Sequence, residues 1–120
     1  MTQTPPLPDL SIDTTLAEKI LTGFIHSEIT RTGMTRIVLG LSGGLDSALA
    51  CALAARALGP ENVLAIRMPY KTSSADSLDH AQLMIDQTGV QHMTVPISGM
   101  ADALIEQFTT MDGVRRGNIM

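Results

Sequence analysis

The 120-residue chain has no Trp, one Tyr and two Phe, too few rings for the stacking platforms on which single-stranded nucleic acids are held. Its one cysteine, Cys51, excludes an internal disulfide and a multi-cysteine metal site, which agrees with a reducing compartment. A surplus of cations is missing too. Eight Lys and Arg against twelve Asp and Glu leave a net charge of -4, which argues against general binding to a phosphate backbone. No apolar run approaches the roughly eighteen residues a membrane span needs. The opening Met1-Thr2-Gln3, followed by Pro5, Pro6 and Pro8, has no charged segment leading into an apolar one. The expectation is a cytoplasmic protein with neither nucleic acid nor membrane as partner. A small phosphorylated ligand held by backbone amides stays open.

What is present is enough to fold. A hydrophobic share of 44% with 17% charged residues lies far from the composition of disordered chains, and the length suits one domain. Residues 1–11 are rich in Pro and Thr and read as a flexible arm. Thr15-x-x-Glu18 fits a capping box. Rows at Leu16, Ile20, Phe24 and at Ala17, Leu21, Ile25, Ile29 then predict a helix over about 14–31. The run Ile37-Val38-Leu39-Gly40-Leu41 is continuously apolar and predicts a strand buried on both faces of a parallel sheet. Asp46 to Leu58, dense in Ala and Leu, predicts a helix that stops at Gly59-Pro60. Val63–Ile66 reads as a second strand, and Leu78, Ala81, Met84, Ile85 and Thr88 outline a helix ending at Gly89. His92–Val95 reads as a third strand, and Ser98 as the cap of a last helix bearing Met100, Ala101, Leu104, Ile105 and Phe108. Strands about thirty residues apart with helices between them predict a doubly wound, Rossmann-like α/β fold with a parallel sheet.

One loop carries the chemistry. Gly40-Leu41-Ser42-Gly43-Gly44-Leu45-Asp46-Ser47 joins the first strand to its helix, at the strand ends where open α/β sheets bind ligands. The glycines permit close backbone approach. The amides opening the next helix suit a phosphate, and Ser42 and Ser47 add hydroxyls. Asp46 would repel a phosphate unless a cation lay between them, and Mg²⁺ takes such oxygen ligands, so the loop implies a metal-nucleotide. A capped Gly-rich turn is the competing reading, with Ser42 or Asp46 as the cap. The octapeptide has neither the Gly-Lys-Ser/Thr ending of the Walker loop nor the Gly-x-Gly-x-x-Gly dinucleotide form. Elsewhere, Cys51 reads as a small buried residue, Phe24 and Phe108 as core anchors, the eight Met as fillers of core gaps and Lys71 as an exposed loop lysine. His26, His80 and His92 are too dispersed for a metal cluster.

Ser42-Gly43-Gly44-Leu45-Asp46-Ser47 resembles the SGGxDS pyrophosphate loop of the N-type ATP pyrophosphatases. That superfamily includes the NAD, GMP, asparagine and argininosuccinate synthetases. Ile66-Arg67-Met68-Pro69-Tyr70-Lys71-Thr72-Ser73-Ser74 resembles the corresponding NAD synthetase segment, and Arg115-Arg116-Gly117-Asn118-Ile119-Met120 the start of that family's next motif. The resemblance implies that residues 12–120 are the N-terminal part of an ATP-pyrophosphatase domain with an adenine nucleotide alpha hydrolase-like fold. It implies ATP and Mg²⁺ as cofactors. The phosphates would lie on Gly40, Leu41, Ser42, Gly43, Gly44, Leu45, Asp46 and Ser47, the metal on Asp46, and the adenosine end near Arg67 and Ser73; several relatives carry Gln in place of Ser73. Arg116 and Asn118 would begin the deamido-NAD contacts.

The implied reaction is amidation of deamido-NAD to NAD through an adenylate, releasing AMP and pyrophosphate, with ammonia, free or glutamine-derived, as the second substrate. Alternatives on the same loop are GMP synthesis, tRNA thiolation and a non-catalytic adenine-nucleotide-binding fragment. The resemblance further implies that the chain stops after its third strand and helix, with the second acidic metal ligand beyond Met120. The first strand would then be left at an open edge. Such a chain is expected to bind nucleotide weakly, to catalyse little and to form a homodimer or associate through that edge.

Overall fold

The computed structural model describes residues 4–71 and 73–107. No described residue of 4–13 belongs to a helix or strand. Helix α1 spans Thr14–Arg31 and is capped by Asp13, whose side chain accepts the Leu16 N–H at 3.1 Å. Thr15 is therefore inside the helix and the capping box expected of Thr15 and Glu18 is not formed; the cap is Asp13, two residues earlier. Strand β1 (Ile37–Gly40) leads to helix α2 (Leu45–Leu58), which ends at Gly59 with φ +90°. A 3₁₀ turn, Pro60–Asn62, delivers strand β2 (Val63–Arg67). Helix α3 (Ala75–Thr88) starts on Ser74, whose hydroxyl accepts the Ser77 N–H at 3.1 Å, and closes at Gly89 in the left-handed conformation. Strand β3 (Gln91–Thr94) and helix α4 (Ser98–Glu106) follow. Ser98 does not cap α4, contrary to expectation; Ile97 precedes the helix without a side-chain bond, and the Ser98 hydroxyl serves another loop.

The strands form one parallel sheet in the order β1-β2-β3, with Ile37 beside Val63 and Leu64 beside Gln91. This is the expected Rossmann-like arrangement, with β1 at an edge. The core lies on the face that carries Val63 and Ala65, packed against Cys51, Ala54 and Ala55 of α2 and Ala81 and Ile85 of α3. Small residues on α2 let the helix sit close to the sheet, and Cys51 is buried as expected. The two-faced burial expected of β1 is not seen: Ile37 and Leu39 turn toward the core, whereas Val38 is 64% exposed. Pleating sends alternate residues to opposite faces, and the face of Val38, Leu64, Ile66 and Met93 is only partly covered.

Helix α1 lies on α2 in a second layer. Ala17 and Leu21 border a groove with Leu49, Ala52 and Leu53, and Glu18 pairs with Arg56. Phe24 is not a core anchor: it is 63% exposed, in one row with the exposed Leu16 and Ile20. A helix with two apolar rows can turn only one of them to a single neighbour, and α2 takes the other. Phe108 lies outside the described residues. Met84 packs against the core, but Met34, Met68, Met93 and Met100 are exposed, so gap-filling does not describe them. Among the described residues no helix is long and apolar enough to cross a membrane.

Candidate functional site

The glycine loop sits at the C-terminal end of β1 and is anchored on both flanks. Leu41 is buried, and its N–H donates to the Ile66 carbonyl at 2.9 Å, carrying the ladder past the strand end. Gly43 has φ +85°, and a Cβ there would stand 2.2 Å from the Ser77 carbonyl oxygen. Both facts demand glycine: the backbone is left-handed, and the loop rests directly on the first turn of α3. At Gly40 a Cβ would stand 3.1 Å from Met68 Cε, the flexible end of a half-exposed side chain that can give way.

Two hydroxyls organise the loop. Ser47 Oγ accepts the Ser42 N–H at 3.1 Å and lies 2.9 Å from Ser42 Oγ, which accepts the Gly44 N–H at 3.2 Å. Gly44 occupies the N-cap of α2 and supplies no side-chain cap. The first turn of α2 is therefore left to find an acceptor elsewhere, at the positive end of the helix dipole. Asp46 stands in that same first turn and is exposed.

A cleft of about 420 Å³ opens beside this loop. Gly40, Leu41, Ser42 and Ser47 line one side; Met68, Pro69, Tyr70 and Ser73, from the segment after β2, line another, with Ile97 between β3 and α4. Ser73 closes a turn on Tyr70, accepting its N–H at 2.9 Å and returning its own N–H to the Tyr70 carbonyl at 2.8 Å. Of the residues expected at the site, Gly40, Leu41, Ser42, Ser47 and Ser73 border the cleft, while Gly43, Gly44, Leu45 and Asp46 complete the loop without lining it. Arg67 is turned toward α3: its guanidinium donates to Thr94 Oγ1 at 3.1 Å and Gln82 Oε1 at 2.8 Å. Arg116 and Asn118 lie outside the described residues.

Met68, Pro69, Tyr70 and Ile97 were not singled out as site residues by sequence reasoning. The available signal was positional, because successive strand-to-helix loops of an open sheet converge at one end. Lys71 is exposed, as expected, but it is paired, with its ammonium 3.1 Å from Asp102 Oδ2. The same carboxylate accepts the Tyr70 hydroxyl, which holds the phenol above its ordinary range; the carboxylate likewise raises Lys71. Burial raises the Cys51 thiol. Among the described residues no group of three or more His, Cys, Asp or Glu could hold a metal by itself. Asp46 is one exposed carboxylate at the glycine loop, a donor that fits Mg²⁺ where the ion is held by one or two carboxylates together with substrate phosphates.

The family model for NAD synthase matches residues 17–120. The chain belongs to the NAD synthase family. Curated relatives include an NH₃-dependent NAD⁺ synthetase of Chlorobaculum parvum, 54% identical over 112 residues, and one of Trichlorobacter lovleyi, 52% identical over 111. These alignments cover 93% and 92% of this chain but 40% and 41% of the relatives, so the chain spans about two-fifths of their length. Among solved structures, the NH₃-dependent NAD synthetase of Campylobacter jejuni, in complex with nitrate, superposes with a TM-score of 0.81 at 32% identity, over 90% of this chain and 47% of that one. The glutamine-dependent NAD⁺ synthetase of Acinetobacter baumannii, in complex with ADP, gives 0.80 at 26% identity, over 98% and 23%. Membership of the NAD synthase family thus rests on sequence and fold together.

Proposed function

We propose that the cleft beside Gly40–Ser47 binds the phosphates of ATP. The chain would then be the nucleotide-binding part of an enzyme that amidates deamido-NAD to NAD. The observation that carries this reading is the loop itself. Two serine hydroxyls shape its backbone, Gly43 is pressed onto α3, and α2 begins without a side-chain cap. Such a loop presents amides to an anion without a surplus of cations, which suits a chain of net charge -4. Asp46 would hold Mg²⁺, which neutralises charge on the departing pyrophosphate. Ser73 borders the cleft from the second loop and can donate its hydroxyl proton to a ligand while still accepting the Tyr70 N–H. The Arg67 bonds to Thr94 and Gln82 use Nε and Nη1, so the adenosine role would fall to the remaining guanidinium donors.

The chemical logic is that of a leaving group. A carboxylate resists ammonia until its oxygen is carried on a phosphate, so ATP and deamido-NAD form an adenylate with loss of pyrophosphate, and ammonia displaces AMP. Arg116 and Asn118 are proposed as the first deamido-NAD contacts, the setting as cytoplasmic, and association through β1 as the oligomeric tendency. The test is calorimetric titration with ATP in Mg²⁺, followed by an assay for NAD from deamido-NAD and ammonia. Binding at the cleft with little turnover is the expected result for these 120 residues; no heat and no competition by AMP or pyrophosphate would refute the nucleotide reading.

A further inference from the structure

The chain's sole tyrosine stands where the cleft meets α4. Tyr70 borders the cleft, and its hydroxyl donates to Asp102 Oδ1. The other carboxylate oxygen accepts Lys71 Nζ at 3.1 Å, and that ammonium lies 5.5 Å from the centre of the Tyr70 ring. Backbone bonds run the same way: the Lys71 N–H donates to Ser98 Oγ at 3.0 Å and the Ile97 N–H to the Pro69 carbonyl at 3.0 Å. One carboxylate on α4 therefore receives the polar ends of two consecutive loop residues, while the start of the same helix receives the loop backbone.

As a surface ion pair this would count for little, because Lys71 is 61% exposed and Asp102 37%, and such pairs add little to stability. The convergence has a different consequence. A loop between a strand and a helix is ordinarily among the more mobile parts of a fold. This one forms the wall of a cleft, and it is tied at both side chains and backbone to an element 27 to 32 residues further on.

We propose that Asp102 is a positioning residue for the cleft: through Tyr70 and Lys71 it fixes the wall facing the glycine loop and thereby sets the affinity for the nucleotide. The raised phenol and ammonium agree with this, since both protonated forms are stabilised by the carboxylate. The affinity clause rests on the nucleotide reading above; the clamp itself does not.

With one Tyr and no Trp in the chain, ultraviolet titration reads the Tyr70 phenol alone. In the wild-type chain it should ionise above the ordinary range, and in Asp102→Ala it should return to that range. Amide exchange across residues 68–73, measured without nucleotide, should quicken in Asp102→Ala. ATP·Mg²⁺ should bind about tenfold more weakly in Asp102→Ala, a difference of one decade in Kd. Asp102→Asn keeps an acceptor and should recover most of that affinity, a rescue that general loss of stability does not produce. Tyr70→Phe removes only the hydroxyl and keeps the test decisive if Asp102→Ala does not fold: it too should quicken exchange and weaken binding. An unchanged phenol titration in Asp102→Ala, or unchanged exchange across 68–73 in both variants, overturns the clamp. Wild-type protein that fails to bind ATP·Mg²⁺ overturns the nucleotide reading instead, and the phenol and exchange measurements still decide the clamp.

Discussion

Gly43 concentrates in one residue the demands that the glycine loop meets. A non-glycine residue at its φ of +85° costs roughly 1–2 kcal/mol in backbone strain, and the Cβ would press on backbone rather than on a side chain that can swing away. Gly43→Ala is expected to lose at least about 2 kcal/mol of stability, a fall of several degrees in Tm, together with ATP binding. Gly23 is the internal control. It lies inside α1 with nothing within 4 Å of a would-be Cβ, so Gly23→Ala should stabilise by roughly 0.5–1 kcal/mol. Urea denaturation of both variants checks the opposite signs. Asp46→Asn should act through the metal: ATP should bind more weakly with Mg²⁺ present, yet no worse than wild type without it, because a carboxylate beside phosphate repels it unless a cation intervenes. Calorimetry with and without Mg²⁺ reads both arms, and equal Mg²⁺ dependence would remove the ligand assignment. At this scale the glycines and serines were legible because a contiguous loop writes its chemistry in one stretch. Tyr70 and Ile97 were not, since they reach the cleft from two other loops that only the sheet brings together.

The elements were legible to within a residue or two, and the misreadings concern how their ends are tied. Asp13 rather than Thr15 starts α1, and Ser98 is drawn off to the Lys71 amide instead of capping α4. Several Ser, Thr and Asp side chains compete for each helix start, and the local sequence does not tell which of them a neighbouring loop will claim. Ser74 is the unambiguous cap of α3, so Ser74→Ala should cost about 1 kcal/mol, read by thermal melts. The tie between α4 and the β2–α3 loop has a pH signature. Tyr70 and Lys71 are both raised from their ordinary values of 10.0 and 10.5, chiefly by the Asp102 hydrogen bonds. A group whose folded value is raised contributes stability that is complete below its unfolded value and lost as pH climbs through the folded one. The contribution should therefore be intact below about pH 10 and disappear above it. Denaturation midpoints should consequently fall more steeply above pH 10 in the wild type than in Asp102→Ala, whose Tyr70 and Lys71 no longer lose that partner; parallel curves would contradict the assignment.

For the whole molecule, the unfilled requirement is cover for the sheet. The uninterrupted apolar run at Ile37–Leu41 reads as a strand enclosed on both sides, yet among the described residues only the face of Ile37 and Leu39 is packed on α2 and α3. Two apolar surfaces can drive association: the outer row of α1, with Leu16, Ile20 and Phe24 at 53%, 61% and 63% exposure, and the β1 edge, with Val38 at 64%. Full burial of a large apolar side chain gives about 1.5–3 kcal/mol, so three partly buried ones on α1 supply about 3–5 kcal/mol per copy. Immobilising a partner costs an estimated 4–15 kcal/mol, and the two α1 rows of a pair, about 6–10 kcal/mol together, fall inside that range rather than clear of it. The β1 edge joins two terms at one place. No described strand pairs with its outer side, so its backbone groups can extend the sheet, and the extension sets a neighbour beside Val38. Association should therefore run through β1. In sedimentation velocity the wild-type chain should shift to larger species with concentration, Val38→Lys should stay monomeric, and Phe24→Lys should behave as wild type. The reverse pattern would assign the contact to α1 and leave the edge of the sheet without a part in it.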